Sequence, residues 1–126
     1  MSIKGKDFVS AAKSCLDSGT ESGLRSAISR AYYAFYHETC GILTHCPPTT
    51  HDGVVEYLTK DARRKNEPFE FIALVQLGAV LKQQKMQRKR ADYKLDETIS
   101  ASEAITSIAV VERMLAKIEE MKAKAA

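Results

Sequence analysis

The residues with the most chemical potential fall in two stretches. Ser26, Arg30, Tyr33, His37, Cys40 and Thr44 step by three or four, which places them on one face of a helix. The second stretch, residues 82–94, holds Lys82, Lys85, Arg88, Lys89, Arg90 and Lys94 against the single acid Asp92, a local net charge of +5 in a chain whose total is +3. An arginine taken out of water needs a carboxylate, because an unpaired buried charge is costly. Asp92 is the candidate partner of Arg30, with Tyr33 or Tyr93 supplying a hydroxyl and Arg88 completing a polar network between the two stretches. Such a network either fixes the register of two helices or builds a pocket. Lys82, Lys85 and Lys89 share one helical stripe beside Arg88 and Arg90, a pattern able to attract phosphodiester groups. Cleavage of RNA at such a place would need a base, His37 or His51, and a cation at the phosphorane, Arg30 or Arg88. The alternative is a solvated helix end, where positive side chains suit the C-terminal dipole.

Other chemistries fit less well. His37, Cys40, His45, Cys46 and His51 are near one another in sequence, but no C-x2-C pair exists and Pro47-Pro48 separates the group, so no metal is expected. Ser29 and His37 lie eight residues apart, about 12 Å along a helix, too far for a nucleophile and its base. The glycines are isolated, which excludes a phosphate-binding loop, and no cofactor is expected. Tyr32, Tyr33 and Tyr36 point in at least two directions from a helix. Tyr32 and Tyr36 are therefore expected to pack against a neighbouring helix with their hydroxyls at the rim.

The elements that must position these residues are all helical. Phe8, Ala11, Ala12 and Cys15 form a first amphipathic stripe, and Ser18 with Glu21 reads as a capping box opening a second helix, from about Glu21 to Thr44. Pro47-Pro48 breaks it. Thr50 is the expected cap for a short helix from His51 to about Lys60. Asp61 to Glu67 reads as a loop, and Pro68 suits the first turn of a long helix ending near Arg90. The apolar set of that helix, from Phe71 to Leu81, is wider than one stripe, so a second buried surface is expected, supplied by this chain or by a partner subunit. Ala91 to Ile99 connects it to a last helix opened by the capping box Ser100-x-x-Glu103. There is no alternating strand pattern. The expected architecture is all-α, an antiparallel helical bundle of about five helices in a single domain over residues 1–126.

Composition agrees with that class. Hydrophobic residues make up 44% and charged residues 28% of the 126 residues, enough to support one core without staples. No apolar run reaches the ~20 residues of a membrane span, and the N-terminal segment has no apolar signal core. Three scattered cysteines suit a reducing, cytoplasmic setting.

Three segments together resemble a known family. The run Ser29-Arg30-Ala31-Tyr32-Tyr33-Ala34 resembles the "SRAYYA" core of small stand-alone HEPN-domain proteins. Thr50-His51-Asp52-Gly53-Val54 resembles that family's "THxGV" stretch, and Arg88-Lys89-Arg90-Ala91-Asp92-Tyr93 its "RxxADY" element. The order and spacing match over nearly the whole chain. The resemblance implies a HEPN-like bundle, usually a homodimer. It also implies a superfamily rich in metal-independent endoribonucleases, toxins of toxin–antitoxin pairs and defence proteins, with some members that bind nucleotides or partner nucleotidyltransferases. The nuclease members carry an arginine and a histidine with four to six residues between them in the late motif. Here Arg88 is followed by Asp92 and Tyr93 instead. Arg30 and His37 have that spacing on the earlier helix, so Arg30, His37 and Arg88 are the catalytic candidates and Lys82, Lys85, Lys89 and Arg90 the nucleic-acid-binding ones. The expected function is RNA or nucleotide binding, with a ribonuclease-type activity in toxin or defence systems. The alternative is a non-catalytic homodimeric interaction module.

Overall fold

A computed structural model describes residues 2–126. Five helices follow one another: α1 (Asp7–Leu16), α2 (Glu21–Ile42), α3 (His51–Thr59), α4 (Phe71–Tyr93) and α5 (Ala101–Ala125). A single 3-10 helix, Ala62–Asn66, occupies the segment expected as a loop, and Asp61 caps it by accepting from the Arg63 backbone N–H at 2.8 Å. There is no strand among the described residues. The fold is an all-α bundle.

Local chemistry sets most of the helix ends. Thr50 caps α3, its hydroxyl accepting from Gly53 N–H at 3.0 Å. Ser100 and Glu103 form the reciprocal capping box at the start of α5. The other expected box does not form. Thr20 caps α2 by accepting from Gly23 N–H at 3.1 Å, Ser18 turns its hydroxyl to that of Thr20, and the Glu21 carboxylate accepts from Ile99 N–H at 2.8 Å. Helix α2 stops at Ile42, because Leu43 is extended and the Thr44 N–H and hydroxyl bind the Glu67 carboxylate instead. Pro68 lies ahead of α4, which starts at Phe71 and continues to Tyr93, three residues beyond the expected end.

Helix α2 is central and packs against α1, α4 and α5, while α3 lies on α4. Its buried row, Ala27, Ile28, Ala31, Tyr32, Ala34 and Phe35, faces Leu74, Leu77 and Leu81 of α4, Leu58 of α3 and Val111 of α5 in one core. Gly78 of α4 permits the close approach of α3, since a Cβ there would lie 2.5 Å from Thr59 Cγ2 and 3.1 Å from Leu58 Cβ. Within this chain the second side of α4 is not covered. Phe71, Ile72 and Met86 are 51%, 64% and 63% exposed. No helix among the described residues is long and apolar enough to cross a membrane.

Candidate functional site

Where α2, α3 and α4 meet, an aromatic cluster forms around one arginine. Helix α2 contributes Ser29, Tyr32, Tyr33, Tyr36 and His37 from successive turns. The Pro47-Pro48 break and the Thr50 cap then bring His51, first residue of α3, back onto the same surface. The His51 imidazole lies flat on the Tyr36 ring, with centroids 3.8 Å apart and planes 1° apart. Its Nδ1 is 2.5 Å from the Tyr32 hydroxyl, and Tyr33 meets the imidazole edge-on at 6.0 Å.

Helix α4 runs antiparallel to α2 and delivers Arg88 into this cluster. The guanidinium carbon sits 5.4 Å from the Tyr32 ring centroid, 5.6 Å from that of Tyr33 and 6.0 Å from that of Tyr93. Its side chain is only 11% exposed. Nη1 reaches Asp92 Oδ2 at 3.3 Å and the Tyr33 hydroxyl at 3.5 Å, whereas Nε is buried with no partner among the described residues. Ser29 donates to the same Asp92 oxygen at 3.2 Å. One carboxylate and one phenol hydroxyl therefore face the guanidinium, and three tyrosine rings lie within 6.0 Å of it.

Electrostatics follow from burial and from these cations. Burial, then the positive charges of Arg88 and Lys85, pushes the His51 pKa down, so the ring is neutral at pH 7. Burial first, then the coulombic effect of the neighbouring Tyr33, Tyr36 and Cys40 groups, outweighs the opposing pull of Arg88 and drives the Tyr32 phenol far up. The Tyr36 phenol, with burial and Cys40 acting together, is raised to about 12.

The residues expected from the sequence divide here. Arg88, Asp92, Tyr33 and Tyr93 come together as a network. Arg30 does not join them. It is exposed and makes no hydrogen bond or ion pair with any described residue. Asp92 is already held by Arg88, one turn earlier on its own helix, and by Ser29. The arginine that ties α2 to the end of α4 is Arg25, which donates to the carbonyls of Ala91 at 3.0 Å and Lys94 at 3.1 Å. His37 is exposed and sandwiched loosely between Phe8 (5.6 Å) and Tyr33 (6.1 Å), with no hydrogen bond to Arg30.

The basic stripe is also thinner than its sequence. Lys85 is bound to Asp52 at 2.5 Å, which holds the exposed Asp52 carboxyl below its usual range. Arg90 is engaged by Glu97 at 2.9 Å, by Glu103 and by the Thr98 carbonyl at 3.0 Å, so it fastens the α4–α5 connection. Lys82 and Lys89 remain exposed and without ion pairs among the described residues. Tyr32 is not at a rim but fully buried, with its hydroxyl spent on His51. Cys40 and Cys46 line a cavity of about 260 Å³ with Tyr36, Pro47 and Pro48, both thiols pushed up by burial. Among the described residues no three His, Cys, Asp or Glu side chains are placed to hold a metal ion.

Sequence reasoning missed Arg25 and the Tyr32–His51–Tyr36 stack. A signal for the stack existed. Two tyrosines one turn apart form a ledge, although the turn that returns His51 to it is not encoded in any periodicity. No family model, curated protein or solved structure matches this chain.

Proposed function

We propose that the chain is an RNA- or nucleotide-binding module of HEPN type, acting in the cytoplasm in a toxin–antitoxin or defence setting. The observation that carries this reading is Arg88. Its guanidinium is largely withdrawn from water, has one carboxylate partner at 3.3 Å, keeps an unpartnered Nε, and lies within 6.0 Å of three tyrosine rings. A cation held this way is preorganised for a phosphate, and Tyr93, 69% exposed beside it, offers a face for a base. Lys89, the next residue, adds long-range attraction. His37, at the open side of Tyr33, is the group available for proton transfer if the bound RNA is cut.

The test is a salt titration of a labelled single-stranded RNA, with tRNA in EDTA as the cleavage substrate. Wild-type protein should bind with a steep loss of affinity as salt rises. Arg88→Ala should weaken binding by roughly tenfold or more, and Arg30→Ala should leave it unchanged. Cuts in tRNA made by wild type and lost in His37→Ala would add catalysis.

A second reading has its own observation, the uncovered apolar row Phe71, Ile72 and Met86 on α4. On that reading the chain is a homodimeric interaction module whose polar cluster is structural, and its partner is a second copy, an antitoxin or a nucleotidyltransferase. Absence of salt-sensitive RNA binding, with a dimer by light scattering that Ile72→Glu dissociates, would favour it.

A further inference from the structure

The Tyr32–His51 contact fixes more than a ring position. Tyr32 is fully buried, and the only described partner of its hydroxyl is His51 Nδ1, at 2.5 Å. A buried phenol must donate its proton somewhere. If His51 carried hydrogen on Nδ1, the phenol would have to accept it, and its own O–H would be buried with nothing to bind. Nδ1 is therefore the acceptor, and the neutral ring bears its hydrogen on Nε2. Stacking on Tyr36 at 3.8 Å and 1° opposes the ring flip that would carry Nδ1 away from the Tyr32 hydroxyl. Nε2 itself has no partner among the described residues and is not one of the fully buried polar atoms.

We propose that Tyr32 locks His51 as an outward Nε2–H donor, which with Arg88 recognises an anionic phosphate oxygen of the ligand. The inference rests on the RNA- or nucleotide-binding reading above. It gives His51 the opposite role to a general base, because a neutral imidazole with Nδ1 engaged and Nε2 protonated has no free lone pair to take a proton. The charged and titratable groups around the ring agree. Arg88 and Lys85 from α4 and His37 from α2 disfavour a second positive charge, and Asp52 on α3 favours one but is bound by Lys85. The Tyr32 and Tyr36 phenols, both raised by burial, stay neutral well above pH 7. A phosphate oxygen thus meets a fixed dipole and one buried cation, an arrangement that needs no reorganisation on binding. Tyr32 is a positioning residue here, since it acts only through His51.

Long-range proton–nitrogen NMR of the histidine rings tests the lock in the free protein. Between pH 6.5 and 8, His51 should show one tautomer with hydrogen on Nε2, and Tyr32→Phe, which keeps the buried ring, should release a mixture of both. Binding is read by fluorescence anisotropy with a labelled single-stranded RNA oligomer and, separately, a fluorescent ATP analogue, so that the arm that binds identifies the source of the phosphate. His51→Ala should weaken the binding arm by about tenfold, and His51→Gln, whose amide N–H reaches the Nε2 position, should recover most of it. An Nδ1–H tautomer, or Gln no better than Ala with binding by wild type intact, overturns the inference while leaving the functional reading standing. Wild-type protein that binds neither probe overturns that reading and the phosphate contact with it, even where the Nε2–H tautomer is seen.

Discussion

Arg25 and Ala91 join two helix ends: the guanidinium of Arg25, near the start of α2, donates at 3.0 Å to the Ala91 carbonyl in the last turn of α4. The same side chain also reaches the carbonyls of Arg90 at 3.4 Å and Lys94 at 3.1 Å, and that of Glu97. The last carbonyls of a helix lack a partner within it and carry the negative end of its dipole, so a largely buried guanidinium satisfies that of Ala91 while adding to those of Arg90 and Lys94, which already accept from Lys94 and Glu97 N–H. Arg25→Met, which keeps the stem and removes the donors, should cost about 2–3 kcal/mol in urea unfolding. Arg30→Ala should change stability by less than about 0.5 kcal/mol, as expected for an exposed side chain with no partner.

A second prediction concerns pH. Glu67 is 5% exposed, and its carboxylate accepts from Tyr57 O–H at 2.6 Å, from the Thr44 and His45 N–H groups at 3.0 and 2.9 Å, and from the Thr44 hydroxyl at 3.1 Å. Burial opposes its ionisation, but these donors together outweigh that and hold the pKa below the usual glutamate value. The folded state therefore binds fewer protons than the unfolded chain through the acid range. The stabilisation from Glu67 is complete above the ordinary glutamate pKa and is lost as pH falls through its lowered folded value. Thermal melts of Glu67→Gln should lie below wild type at pH 7, with the gap closing towards pH 3. Tyr57→Phe should lose about 1–2 kcal/mol at pH 7 for the missing donor.

The parts of this molecule that were legible in the sequence are those fixed by neighbours along the chain. Thr50 and the Ser100–Glu103 pair cap as read. The misread parts were decided by partners distant in sequence. Glu21 had the position for a capping box, yet Ile99 N–H, from the far end of the α4–α5 connection, takes its carboxylate and leaves Thr20 to cap. Helical stepping placed Arg30 on the polar face but could not show that Asp92 would be saturated by Arg88 and Ser29. Arg88, Asp92 and Tyr93 are legible because one short run concentrates them, and Tyr33 because helical stepping puts it on the polar face of α2. His51 reaches the cluster only through a proline turn whose direction no periodicity encodes.

Packing between α3 and α4 gives a third prediction. A Cβ at Gly78 would press on Thr59 Cγ2 at 2.5 Å, and Thr59 cannot rotate away without breaking its 2.8 Å hydrogen bond to the Val55 carbonyl. Gly78→Ala should therefore cost about 1–3 kcal/mol through overpacking. At Gly41, near the end of α2, a Cβ would have no neighbouring atom within 4 Å. Gly41→Ala should stabilise by about 0.5–1 kcal/mol, because it restricts the unfolded chain and meets nothing in the folded one. Opposite signs for two glycine substitutions in helices, read as shifts in urea midpoint, would locate the α3–α4 contact without any ligand assay.

The last prediction separates cations by what already holds them. Lys89 is exposed and unpaired among the described residues, whereas Arg90, its neighbour in sequence, is engaged by Glu97, Glu103 and the Thr98 carbonyl. A lysine that neutralises an RNA phosphate releases counterion, so each such contact contributes about −0.7 to the slope of log affinity against log salt for a single strand. Lys89→Ala should flatten the salt dependence of RNA binding by about that amount and leave the melting temperature unchanged. Arg90→Ala should do the reverse. It removes the clasp between α4 and α5 and lowers the melting temperature, while the salt slope stays at the wild-type value because that guanidinium faces protein oxygens. A fall in slope with Arg90→Ala and none with Lys89→Ala would mean that RNA, if bound, lies along the α4–α5 connection and not across the Arg88 cluster.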